Sequence, residues 1–180
     1  MGAVTTGVTS WAIISHSAAS FDSKAPSSVN PAPQDDADTL LQAGILQQKY
    51  HDLDGADRTY RRVLELDPQN KFAWYNLGVI AHGYGRVADA RADYDKALKI
   101  DPVFPSALFN EALLLEPREP DRAAGLLKRV IARDPQAATA HLHLGRIWQH
   151  EKHAAKAADE FRRAVAADPS LRPQVPEEFR

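Results

Sequence analysis

Four Asp-Pro pairs, Asp67–Pro68, Asp101–Pro102, Asp134–Pro135 and Asp168–Pro169, punctuate the chain at intervals of 34, 33 and 34 residues. Proline ends a helix, because it lacks the backbone N–H and disfavours the helical conformation of the residue before it. Between the pairs, apolar residues recur at three- and four-residue steps, as the faces of helices require. The stretch from Lys71 to Pro102 shows this most plainly. Trp74, Leu77, Gly78 and Ala81 share one face of a first helix, Ala90, Tyr94 and Ala97 share one of a second, and Gly83–Gly85 separates the two. A fixed period of this size requires one helical unit repeated and stacked, with no single central core.

Laying the units over one another aligns Leu40, Trp74, Leu108 and His141 in the first helices. It also aligns the small residues Gly44, Gly78, Ala112 and Gly145. In the second helices Ala56, Ala90, Ala123 and Ala157 align, followed by Tyr60, Tyr94, Leu127 and Phe161. Small residues at these places let two helix backbones approach, and the large rings supply apolar area beside them. The order W-x2-L-G, then A-x3-aromatic, then a late proline resembles the tetratricopeptide repeat, a helix-turn-helix unit of about 34 residues. The resemblance covers about residues 37–169. It implies an all-α fold, a right-handed superhelix of about four hairpins (an α-solenoid), with repeats at about 37–70, 71–104, 105–137 and 138–171.

The third unit departs from the pattern. Glu111 stands where Leu77 and Leu144 stand in its neighbours, and Glu116-Pro117-Arg118-Glu119-Pro120-Asp121 cuts its first helix short. The expectation is a tightened turn between its two helices, with Asp121 helping to cap the second.

Residues 1–36 differ in composition. Met1–Ile14 carries no charge and ends in the apolar run Trp11-Ala12-Ile13-Ile14, and a stretch rich in Ser, Ala and Pro follows. The latter part reads as a flexible linker. The former lacks the basic start of a signal peptide and is too short to span a bilayer. It reads either as a disordered arm or as the remnant of a membrane anchor, so the chain is placed in the cytoplasm or tethered to a membrane with its repeats soluble. Residues 170–180 form a short tail that does not read as a full capping helix. The last hairpin's apolar face is then covered by that tail, by further sequence or by another subunit.

The charges are nearly balanced, 22 basic against 24 acidic, which gives no electrostatic case for nucleic acid. The pairs Arg61–Arg62, Lys128–Arg129 and Arg162–Arg163 fall late in second helices, where they would suit the helix dipole. There is no cysteine, hence no disulfide and no thiol chemistry. His141, His143, His150 and His153 crowd the fourth unit. His150-Glu151-Lys152-His153, however, is one residue short of the zinc motif H-E-x-x-H and lies at a turn. His143 and His150 stand about 10 Å apart along a helix, too far to share an ion. His141 takes the place of Trp74 and is expected to pack within its hairpin. No phosphate loop, nucleophile elbow or carboxylate pair emerges. The reading is no enzyme, no metal, no cofactor and no small-molecule substrate.

In the family, first helices line the concave side. The resemblance therefore assigns to the groove Leu41 and Ile45 with Gln42 and Gln48; Phe72, Tyr75, Asn76 and Val79 with His82; Phe109, Asn110 and Leu113 with Ser106; and Leu142, His143 and Arg146 with Thr139. Many of these are large and apolar, and a continuous patch of that kind marks an interaction site. Asn76 and Asn110 share one position in consecutive repeats and could hold the backbone of a bound peptide. Some family members use a basic clamp for the acidic tails of chaperones. Asn76 matches the asparagine of that clamp, but Leu41, Ile45, Ser106 and Asn110 replace its other groups, so a chaperone tail is not the expected ligand. The sequence points to a non-catalytic module that binds an apolar or amphipathic peptide or helix of a protein partner. The alternative is self-assembly into a homo-oligomer through an uncapped C-terminal face or the N-terminal arm.

Overall fold

The computed structural model describes residues 36–180. The arm and its apolar run Trp11–Ile14 lie outside the described residues. Eight helices follow in pairs: α1 (Ala37–Lys49) and α2 (Leu53–Leu66), α3 (Lys71–Gly83) and α4 (Val87–Ile100), α5 (Pro105–Leu115) and α6 (Pro120–Arg133), α7 (Ala138–His150) and α8 (Ala154–Ala167). No strand occurs among the described residues, and no helix there is long and apolar enough to cross a membrane. The two helices of each pair pack on one another most extensively, and successive pairs join through α2–α3, α4–α5 and α6–α7. This is the α-solenoid that the period requires.

The Asp of each Asp-Pro pair builds the connection between hairpins. Its carboxylate accepts from the backbone N–H two residues on, at Gln69, Val103, Gln136 and Ser170, over 2.9–3.1 Å. This Asx turn lets the chain leave one helix and enter the next hairpin in the same way each time. Helix starts are less uniform. Asp36, Asp52 and Asn70 cap α1, α2 and α3 through the N–H groups of Thr39, Gly55 and Ala73. Helices α5 and α6 begin on Pro105 and Pro120 without a side-chain cap. Asp121 is therefore no cap; it lies within the first turn of α6, where it favours only the helix dipole.

Inside hairpins one, two and four, the turn passes through a residue of positive φ: His51 (64°), Gly85 (71°) and Lys152 (61°). Each turn closes with the next N–H reaching back five residues, Asp52 to Gln47 O, Arg86 to Ala81 O and His153 to Trp148 O. Hairpin three lacks the left-handed residue. Its α5 stops at Leu115, and Glu119 N bonds Leu115 O at 2.7 Å instead. Helix α5 is two residues shorter than α3, and its connection to α6 is one residue longer than that between α3 and α4. The residue this unit lacks therefore comes out of its first helix and not out of the turn, and the stacking continues.

Three cores each span two successive hairpins. Leu41, Tyr60 and Val63 meet Leu77 and Ile80 of the second hairpin. Tyr94 and Ala97 meet Phe104 and Leu114 of the third, and Leu108, Leu127 and Val130 meet Leu144 and Ile147 of the fourth. Within hairpins, the small position of the first helix faces the ring of the second. A Cβ added at Gly44, Gly78 or Gly145 would lie 2.6–2.7 Å from the ring of Tyr60, Tyr94 or Phe161. Hairpin three uses Ala112 against Leu127 instead, a larger residue against a smaller one.

The last apolar face is covered by the chain's own tail. Residues Pro169–Gln174 and Glu177–Phe179 form two 3-10 helices. They bury Leu171 and Val175 against Leu142, Phe161 and Ala164, and set the Phe179 ring 5.2 Å from that of Phe161. The paired basic residues do not serve the helix dipole. Arg61 bonds Asp57, Arg62 pairs with Glu65, and Arg162 and Arg163 share Asp159, all within a helix. Arg129 instead donates to the carbonyl of Pro102, tying α6 to the preceding connection.

Candidate functional site: the face of the first helices

In α3, α5 and α7, the positions buried on neither the hairpin nor the stacking side form one half-buried stripe per helix. The stripes are Phe72, Asn76, Val79 and His82; Asn110 and Leu113; and Thr139, His143 and Arg146. They fall at steps of three and four because one side of each first helix is used by its hairpin partner and another by the adjacent hairpins. Ile45 and Gln48 continue the face onto α1, half-buried, with Gln42 exposed.

Other assigned residues sit deeper. Tyr75 and Phe109 are 5% and 8% exposed, and Leu41 is 7% exposed within the core between hairpins one and two. Leu142 is 1% exposed and packs beneath the tail on Phe161, Leu171 and Val175, so it does not contribute to an open patch. The reason is the tail itself, which closes over this end of the face.

The face is also a set of links between hairpins. Phe72 and Tyr75 lie edge-on to Phe104, with ring centroids 5.6 and 5.2 Å apart. Lys71 pairs with Asp101 at 2.5 Å and stands over the Phe72 and Phe104 rings. Asn110 donates through Nδ2 to the Tyr75 hydroxyl at 2.9 Å and to the Ser106 carbonyl at 3.1 Å. Its amide donors are therefore used within the protein, whereas the sequence reading reserves them for the backbone of a bound peptide. Asn76 makes no side-chain hydrogen bond among the described residues. The Phe109 ring meets His143 edge-on at 5.7 Å, and His143 Nδ1 lies 2.8 Å from Glu116. Arg146 reaches Gln174 and Gln149 reaches Glu178, which fastens the tail to α7. The sequence signal for these contacts was spacing: residues about one period apart, such as Tyr75 and Asn110 or Phe109 and His143, end side by side.

Burial sets the electrostatics here. It pushes the Tyr75 hydroxyl up to about 12, so it stays a neutral partner for Asn110. It lowers His82, which favours the uncharged ring. His141, His143 and His153 of the fourth hairpin go to separate partners. His141 is buried between Glu160, 2.6 Å from Nδ1, and the Pro135 carbonyl, 3.2 Å from Nε2. Trp74 makes the equivalent contact, its Nε1 donating to Pro68 O at 3.0 Å, so His141 fills the Trp74 role. His153 stacks edge-on with Trp148. Among the described residues no three His, Cys, Asp or Glu side chains converge as metal ligands.

The comparisons with known proteins agree with this architecture. Protein O-mannosyl-transferase Tmtc3 of Drosophila melanogaster is 33% identical over 110 residues, covering 60% of this chain and 12% of that protein. Cellulose synthase operon protein C of Pseudomonas fluorescens is 33% identical over 47% of this chain and 7% of its own length. The chain thus spans only a small part of either relative. Among solved structures, MamA has a TM-score of 0.69 at 19% identity, over 76% of this chain and 81% of that one. PilF of Pseudomonas aeruginosa gives 0.69 at 23% identity, over 79% and 65%. These likenesses show the fold. Tetratricopeptide repeats are typically non-catalytic scaffolds for protein–protein interaction. The family model named tetratricopeptide repeat matches residues 41–103 and 108–171, and with the eight paired helices and the 33–34-residue period this chain belongs to that family.

Proposed function

We propose that the chain is a protein-interaction module without catalysis of its own, and that the face of α3, α5 and α7 holds an apolar or amphipathic peptide or helix of a protein partner. The observation that carries this is the alternation on that face. The side chains of Val79 and Leu113 are half-buried beside the half-buried polar groups Asn76, His143 and Arg146. Apolar side chains would give a ligand area, and Asn76 would fix its backbone by donating and accepting at once. Because Asn110 already bonds Tyr75 and Ser106, Asn76 is the cleaner probe. In the variant Asn76→Ala/Leu113→Glu, Leu113 also gives up its packing against the core between hairpins three and four, so folding is matched before binding is compared. The test is affinity capture with both baits at matched circular dichroism, followed by titration of the recovered partner. We expect the variant to bind it about tenfold more weakly or worse. Equal affinity would show that the partner sits elsewhere.

Self-association is the second reading, favoured by α1. Leu77 and Ile80 of α3 are buried against the preceding hairpin, whereas the equivalent Ala43 and Leu46 are exposed among the described residues, with Tyr50 beside them. A second copy laid on this face would bury them. Sedimentation equilibrium of wild type against Leu46→Glu/Tyr50→Glu decides it: a dimer lost in the variant supports this reading, and a monomer at all concentrations removes it.

A further inference from the structure

Between α8 and the tail remains a cleft of about 260 Å³. Its floor is apolar, formed by Phe161, Val165, Val175 and Phe179, and its rim carries Arg162, Arg172 and Arg180. No Asp or Glu side chain lines it among the described residues. The rim's charge is only partly compensated. Arg162 shares Asp159 with Arg163. Arg180 donates to the carbonyls of Val175 and Pro173, with Glu177 3.9 Å away and its side chain 91% exposed. Arg172 has no ion pair among the described residues. An apolar hollow ringed by guanidinium groups is the complement of an apolar side chain set among carboxylates.

We infer that this cleft is a docking site, separate from the face of the first helices, for a protein segment that presents one large apolar side chain flanked by acidic residues. Two observations favour a peptide over a lipid or a metabolite. The cleft lies below the range of about 300–1,000 Å³ of small-molecule pockets, which suits a single side chain. The chain's own Phe179, preceded by Glu177 and Glu178, already places one aromatic ring on this floor at the edge of Phe161. The remaining space beside it accepts a second residue of the same kind. Guanidinium groups then pair with carboxylates through charge-assisted hydrogen bonds, in two-pronged geometry where the approach allows.

The probe is a blocked pentapeptide, Glu-Glu-Phe-Glu-Glu, titrated into the whole chain while backbone amide NMR shifts are followed. Its counterpart with Gln for every Glu, and octanoate, are the comparison ligands. The acidic peptide should shift residues of α8 and the tail and bind more weakly as salt is added. Arg162→Gln/Arg172→Gln, both at exposed positions, should weaken it about tenfold. Ala158→Leu, which fills the cleft without changing charge, should abolish the shifts. The inference is overturned if the Gln peptide binds equally well, if both variants retain wild-type affinity, if the shifts map to α3 and α5 instead, or if octanoate binds and the peptide does not.

Discussion

At the scale of single residues, the repeat is a set of matched pairs, and one pair is imperfect. Tyr60 and Tyr94 occupy equivalent places, each with its ring over a glycine of the partner helix. The Tyr60 hydroxyl donates to Gln48 at 2.9 Å. That of Tyr94 is buried and has no hydrogen-bond partner among the described residues. In the fourth hairpin the same place holds Phe161, which needs none. An unpaired buried hydroxyl costs on the order of 1–3 kcal/mol, whereas a satisfied one contributes about 1. Tyr94→Phe should therefore leave stability unchanged or raise it by about 1 kcal/mol, and Tyr60→Phe should lower it by about the same amount. Urea unfolding of the two variants checks this; a loss in Tyr94→Phe equal to that in Tyr60→Phe would mean that the Tyr94 hydroxyl is bonded. The glycine–aromatic matching was legible in the sequence, because small and large residues line up at the period. The unequal fate of two identical tyrosines was not. It depends on Gln48 reaching one hydroxyl while the equivalent His82 does not bond the other, and that reach is a fact of packing.

At the scale of the elements, the hairpin turns carry the cost of a backbone shape that only glycine adopts freely. Gly85, His51 and Lys152 hold the same left-handed place in three turns. The left-handed region costs a residue with a Cβ about 1–2 kcal/mol, and glycine's greater freedom in the unfolded chain returns part of that difference. Lys152→Gly should then stabilise by about 0.5–1 kcal/mol. Gly85→Ala should destabilise by a similar amount, although nothing lies within 4 Å of the added Cβ, so the effect would be of the backbone alone. Thermal midpoints of the two variants test this, and movement in the same direction would refute it. In hairpin three, Pro117 and Pro120 predict an α5 cut short and a tightened turn after it. Helix α5 does end early, at Leu115, but its connection to α6 spans four residues where that between α3 and α4 spans three, so the helix is shortened and the turn is not. The cap proposed for Asp121 failed for a local reason: Pro120 opens the helix, which places Asp121 inside the first turn rather than before it.

At the scale of the whole molecule, the period dictates the architecture. The Asx turns repeat because Asp-Pro repeats, and stacked hairpins follow from that. The working surface was less legible. Alignment could place residues on the first-helix face, but it could not foresee that the tail closes over Leu142 or that Tyr75 engages Asn110. Both result from contacts between units, and contacts between units also set the stability of a solenoid, as nearest-neighbour terms.

The weakest of these joints should be that between hairpins two and three. Glu111 stands there, 2% exposed, where Leu77 and Leu144 fill the equivalent places with apolar surface. Arg122 Nη2 is 3.8 Å from it, and Asp95 of α4 adds a like charge, while Arg91 and Arg129 oppose it. Burial pushes the Glu111 carboxyl up, and Asp95 adds to this. A carboxyl raised in the folded state favours folding while it is protonated and loses that contribution as pH rises through its folded value. Glu111→Leu should accordingly change stability little near pH 4. Near pH 7 it should raise stability by about 1–2 kcal/mol, since a buried charge is replaced by the residue its neighbours use. Because the substitution strengthens a joint between units, it should also make urea unfolding steeper, with hairpins one and two melting together with three and four. Urea curves at both pH values read midpoint and slope. A variant less stable at pH 7 than at pH 4, relative to wild type, would show that the arginines around Glu111 more than offset its burial and hold the two halves of the solenoid together.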